Sequence, residues 1–172
     1  MLQNIKEIPK DPLPDLQDGK IHLLFVDDGE SNRANFKMGV IRRLKDVSDK
    51  VQITIFDISD EMNDFLQAQD DLSKVVVATD KDMPNTMSGI DLAVALKAKD
   101  ANLPIVIWTG EPKEAEDDPR RPADVPVYDK PRIIEMFDQF IRSHILSRLQ
   151  GPTLPAVDPR SLPQDKPEPG KA

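Results

Sequence analysis

Lys74–Thr79 reads KVVVAT, and this short run decides the fold. Val75, Val76, Val77 and Ala78 follow one another with no polar residue between them, the mark of a strand covered on both faces. Upstream, Val51–Phe56 (VQITIF) alternates as a half-buried strand, and Ile21–Val26 (IHLLFV) is an earlier apolar strand. Between those two, from about Ser31 to Leu44, the residues Phe36, Val40 and Leu44 recur on one helical face, with Ser31 placed to cap it. Asp60 to Gln69 reads as a short, weakly patterned second helix. Downstream, a turn holding Met83-Pro84-Asn85 leads into a helix from about Gly89 to Lys99. Pro104–Trp108 is the fourth strand, and Val125–Asp129 is a short fifth. The last helix, about Arg132 to Gln150, carries Ile133, Phe137, Phe140, Ile141, Ile145 and Leu149 as an apolar stripe, and Gly151 stops it. Between Glu111 and Ala123, three prolines (Pro112, Pro119, Pro122) leave room for a turn or two of helix at most.

Strands alternating with helices in this way imply an α/β fold, a parallel sheet with helices on both faces, because right-handed crossovers leave little alternative. Proline-bearing ends flank it. Residues 1–19 carry Pro9, Pro12 and Pro14 with little periodicity and read as an extension; residues 20–150 form the domain. Residues 151–172 hold six prolines and few large apolar side chains, so they read as a flexible tail.

Bulk composition narrows the function. The formal net charge of −8 argues against a surface built to neutralise nucleic-acid phosphates or to lie on an anionic membrane. Cysteine is absent, which removes disulfides, thiolate metal sites and a cysteine nucleophile. No run of about eighteen apolar residues occurs, and the first twenty residues lack the apolar stretch of a secretion signal. The expectation is a cytoplasmic protein with neither membrane insertion nor nucleic-acid binding.

In a doubly wound sheet, chemistry gathers outside the carboxyl ends of the strands, where strand order reverses. The first strand here ends in Asp27-Asp28, the third in Asp80, the fourth in Thr109-Gly110, and the fifth leads into Lys130-Pro131. With strands one, three, four and five adjoining, these residues converge on one edge. Three carboxylates gathered there repel, and something positive must hold them. Mg²⁺ prefers oxygen ligands and typically takes one or two carboxylates plus a phosphate. Lys130 adds a fixed charge and Thr109 a hydroxyl, which together suit the in-line transfer of a phosphoryl group.

Val26-Asp27-Asp28, then Asp80-Lys81-Asp82-Met83-Pro84, then Trp108-Thr109-Gly110, then Asp129-Lys130-Pro131 resemble the motif set of response-regulator receiver domains. The resemblance covers roughly residues 20–150. It implies a flavodoxin-like (βα)5 three-layer sandwich with sheet order 2-1-3-4-5 and a shortened or irregular fourth helix. It implies that Asp80 is the phosphoacceptor and that Asp27, Asp28, Asp80 and the backbone carbonyl of Asp82 hold Mg²⁺. Lys130 would pair with the acceptor and then the phosphoryl oxygens, and Thr109 would donate its hydroxyl to them. Asp82 and Glu111 sit where the family tunes the lifetime of the acyl phosphate. The implied donor is a sensor histidine kinase or a histidine phosphotransfer protein, and the chain would catalyse only its own phosphorylation and dephosphorylation. Beside so small a domain, output is expected through a protein partner, onward relay or self-association.

The chain departs from the family in three places. The loop after the acceptor, Met83 to Gly89, has one extra residue and Ser88 where the family carries an acid. Val127 stands at the usual aromatic position, with Tyr128 beside it in the opposite phase. Prolines crowd residues 111–123, the place of the fourth helix. Two other readings follow from the same residues. A degenerate receiver would serve only as a protein-binding scaffold. A haloacid-dehalogenase-like phosphatase would use Asp80 and Asp82 as its nucleophile pair, but it needs a second acid pair after Lys130, and here the pair comes before, at Asp27-Asp28.

Overall fold

Alternation along the strands sorts the core into two layers. In the computed structural model, which describes residues 4–151, the sheet has six strands: β1 (Ile5–Ile8), β2 (Ile21–Val26), β3 (Val51–Phe56), β4 (Val75–Thr79), β5 (Ile105–Thr109) and β6 (Val127–Asp129). Leu23, Phe25, Val76, Ala78, Val106 and Trp108 point to one face. There α1 (Glu30–Arg43) lies beside a helical stretch made of α5 (Ile133–Met136), a π-helical segment Phe137–Ile141, and α6 (Arg142–Leu149). Phe25 of the sheet stacks on Phe36 of α1 with centroids 3.9 Å apart. Leu24, Val26, Val75, Val77, Ile105 and Ile107 point to the other face, under α2 (Ser59–Gln67), α3 (Gly89–Lys99) and the short α4 (Pro112–Asp117). The valine run of β4 therefore sits in the middle, buried on both sides as its composition requires.

All strand pairs are parallel, in the order β1-β3-β2-β4-β5-β6. Without β1, this is the expected 2-1-3-4-5 sheet. The added strand comes from the N-terminal extension, where four residues are too few to show a period. Asn4 accepts the Ile53 N–H, so Lys6 and Ile8 turn their backbone groups inward and Glu7 turns its own outward. Asp11 then takes both: its carboxylate accepts the Glu7 N–H at 2.8 Å, and its own N–H donates to the Glu7 carbonyl at 2.7 Å. A side chain thus closes much of an otherwise open edge. Asp11→Ala is expected to cost about 1 kcal/mol in urea unfolding and to increase light scattering at high concentration. An unchanged midpoint and unchanged scattering would show the closure to be inert.

Two local expectations are corrected. Ser31 does not cap α1: the N-cap is Gly29, whose N–H is held by Asp27 Oδ1 at 2.7 Å in a tight side-chain turn that starts the helix earlier. The last helix is not uniform, since Lys130–Arg132 forms a 3₁₀ turn before α5 and the π segment interrupts its middle. Of the tail expected from residue 151 onward, residues 152–172 lie outside the described residues. Among the described residues no helix is long and apolar enough to cross a membrane.

Candidate functional site

The tips of β2, β4, β5 and β6 lie side by side, and the residues that follow them meet at one edge. Backbone pairing carries on past the strand ends and fixes the two central acids. The Asp27 N–H donates to Phe56 at 3.2 Å, and the Asp80 N–H donates to Val26 at 3.0 Å. Carboxylate oxygens of Asp27, Asp28 and Asp80 all lie within 4.8 Å of one another. Asp27 and Asp80 are buried, whereas Asp28 is exposed. At this separation the buried pair repels by about 3 kcal/mol at an effective dielectric of about 20.

Lys130 is the cation that faces both. Its Nζ stands 3.2 Å from Asp27 Oδ2 and 3.3 Å from Asp80 Oδ1. One ammonium against three carboxylates leaves the cluster negative. Burial, then the nearby Asp27, pushes the Asp80 carboxyl up to about 6 against the opposing pull of Lys130. Asp27 is the more fully engaged acid: its Oδ1 accepts from Gly29 and, at 3.2 Å, from Asn32 Nδ2. Thr109 is buried at the end of β5, with its hydroxyl oxygen accepting the Glu111 N–H at 3.1 Å. Asp82 is the sequence candidate whose side chain is not part of the cluster; its exposed carboxylate turns to Lys81 at 3.3 Å.

Several supporting residues carry no signal of their own in the sequence. Trp108 donates its indole N–H to the Lys130 carbonyl at 3.2 Å and lays its ring 5.4 Å from the ammonium. Thr79 donates its hydroxyl to the Asp80 carbonyl at 2.8 Å. Gly89 presses against the same carbonyl: a Cβ there would sit 2.0 Å from Asp80 O. The extra residue in the acceptor loop is absorbed by α2. Thr86 Oγ1 accepts the Asp60 N–H at 3.2 Å and shares a 2.9 Å hydrogen bond with Ser59, while Asp60 accepts the Met87 N–H at 3.1 Å. Ser88, in the place of the usual acid, caps α3 by accepting the Asp91 N–H at 3.1 Å. Val127 packs on the α2–α3 side and Tyr128 on the opposite side, where its hydroxyl donates to Gln139 at 3.1 Å. Among the acids of 114–118, Glu114 reaches back to Lys81 and Asp118 pairs with Arg120 at 2.9 Å.

No protein-family model matches the sequence, and no curated protein matches it. Solved structures do. A response-regulator receiver domain protein from Clostridium thermocellum superposes with a TM-score of 0.56 at 20% identity, covering 75% of this chain and 97% of that one. A response regulator receiver protein from Sinorhizobium medicae gives 0.57 at 16% identity, with 77% and 96% covered. The signal receiver domain of a putative LuxO repressor protein from Vibrio parahaemolyticus gives 0.57 at 17%, with 76% and 94% covered. This is the receiver-domain fold. The superpositions establish the receiver architecture; the chemistry must come from the side chains themselves. Within that architecture the acids, the lysine and the threonine occupy the carboxyl edge of the sheet, beside the switch point between β2 and β4.

Proposed function

We propose that the protein is a phosphoacceptor of two-component signalling, in which Asp80 takes a phosphoryl group from a phosphohistidine on a sensor histidine kinase or histidine phosphotransfer protein. The observation that carries this reading is Lys130 held between Asp27 and Asp80 at 3.2 and 3.3 Å, inside a carboxylate cluster it cannot neutralise alone. Such an excess of hard oxygen donors fits Mg²⁺, with Asp28, Asp80 and the Asp82 carbonyl as ligands and Asp27, already engaged by Gly29, Asn32 and Lys130, acting directly or through water. Bound there, Mg²⁺ supplies the positive charge that phosphoryl oxygens need during transfer.

The chain's own residues do the rest. An Asp80 oxygen attacks phosphorus in line; the new O–P bond forms as the P–N bond to the donor imidazole breaks, and that imidazole takes a proton from solvent. Lys130, freed of its contact with the acceptor carboxylate, follows the charge onto a phosphoryl oxygen. Thr109 accepts from Glu111 and so keeps its own proton free to donate to a second oxygen. Hydrolysis by water returns the Asp80 carboxylate and inorganic phosphate, with Asp82 and Glu111 flanking the approach. Signal output passes to a protein partner.

Intact-mass measurement after acetyl phosphate treatment tests this reading. One phosphoryl-sized gain is expected with Mg²⁺, none with EDTA, and peptide mapping should place it on Asp80. No gain would leave a protein-binding scaffold, and steady turnover of a small phosphoester would point to a phosphatase.

A further inference from the structure

Lys81, immediately after the acceptor, is only 7% exposed, yet three carboxylates from three places surround its ammonium. Asp82 of its own loop lies at 3.3 Å, Glu111 of the β5–α4 loop at 3.5 Å, and Glu114 of α4 at 3.0 Å. The three contacts are ion pairs shared by one ammonium. Glu114 stands nearest, so α4 supplies the closest of the three acids. A buried ammonium shared among three carboxylates can lean toward one or another as the charge around it changes.

The connections close a ring. Lys81 follows Asp80 directly in the chain. The Lys81 side chain reaches Glu111 and Glu114, and the Glu111 N–H returns to the Thr109 hydroxyl beside the acceptor. We propose that Lys81 is a positioning residue that ties the acceptor loop to α4, so that occupancy of Asp80 is read out as a change in how firmly α4 is held. This rests on the reading of Asp80 as phosphoacceptor. New negative charge on Asp80 competes with Glu111 and Glu114 for Lys81, and that competition loosens the hold on α4. Val127 of β6 stands where an aromatic switch would and packs into the layer of α2, α3 and α4, so the Lys81 link gives the fold a route of its own.

Hydrogen exchange of the 111–118 peptides tests the link in the full chain, comparing Mg²⁺ alone with Mg²⁺ plus beryllofluoride. Trp108 fluorescence reports ligand binding independently, since its ring lies beside Lys130. In the native protein, exchange in these peptides should rise about tenfold on beryllofluoride binding. Lys81→Met keeps the buried stem but drops the charge. It should show fast exchange in both states while Trp108 still responds, and Glu114→Gln, changed at the exposed end of the pair, should shrink the response. Lys81→Arg should restore it. A merely structural lysine would lower the melting temperature and leave the tenfold response intact, which overturns the proposal. A Trp108 response without an α4 response in the native chain overturns the link alone. No Mg²⁺-dependent response at all removes the acceptor reading and the link together.

Discussion

Asp80→Asn is expected to stabilise the metal-free protein by about 1–3 kcal/mol and, at the same time, to abolish the phosphoryl mass gain. The two effects share one cause. Asp80 is buried within 4.8 Å of Asp27, and burial followed by that neighbour raises its carboxyl to about 6 from an ordinary 3.8. A carboxyl raised in the folded state contributes stability that is complete below the unfolded value, near 4, and is lost as pH rises through about 6. A shift of about two units corresponds to roughly 3 kcal/mol lost above that window. Asparagine keeps the shape and drops the charge, though it gives up the contact with Lys130. Urea unfolding in EDTA should therefore show the native protein losing stability between about pH 4 and pH 6 while Asp80→Asn holds level. Adding Mg²⁺ should raise the native melting temperature and barely move that of the variant. A metal-free Asp80→Asn protein less stable than the native one at pH 7.5 would mean that the cluster is not under electrostatic load.

What the sequence discloses and what it hides divide along a physical line. The sheet is legible because buried parallel strands need unbroken apolar runs, and KVVVAT has no competing reading once helices flank it. The acids, the threonine and the lysine are legible because each closes a strand, and strand ends on one edge of a doubly wound sheet must meet. Residues that act through their backbone neighbours are harder to see. Ser31 looks like the cap of α1 until Asp27 takes the Gly29 N–H and starts the helix sooner. Ile5–Ile8 is too short to show a period, and its place in the sheet depends on Asp11, a side chain folding back across a proline-bearing turn. Lys81 has charged neighbours thirty residues along the chain, at Glu111 and Glu114, and only the packing of α4 against the acceptor loop unites them.

The altered acceptor loop follows the same logic. An extra residue between Pro84 and Gly89 would ordinarily loosen a loop next to a reactive carboxylate. Here Thr86 takes the Asp60 N–H at the first turn of α2, and Met87 donates to Asp60 in return. The longer loop is tethered to α2 at one end and, through Lys81, to α4 at the other. Asn85 accommodates the turn with φ of 59°, a conformation asparagine tolerates better than most residues.

Between those tethers the tolerance of the loop is lowest at Gly89, and Gly89→Ala should be the most damaging single methyl group in the protein. The new Cβ would stand 2.0 Å from the Asp80 carbonyl oxygen, 2.9 Å from its carbon and 3.0 Å from the Lys81 Cα. All three are backbone atoms, so no side chain can rotate away; either α3 or the acceptor itself must move. Alanine gains up to about 1 kcal/mol in helix propensity at such a position, but overpacking against rigid backbone costs about 3 kcal/mol or more, and the clash wins. Displacing Asp80 by an ångström is expected to slow phosphoryl acceptance on the order of a hundredfold. Ser88→Ala, which removes only the cap of α3, should cost about 1 kcal/mol and leave acceptance near the native rate. Stability is read by urea unfolding and acceptance by the time course of the mass gain. If Gly89→Ala matched Ser88→Ala in both, the close approach of α3 to the acceptor carbonyl would have no part in holding Asp80 where Lys130 can reach it.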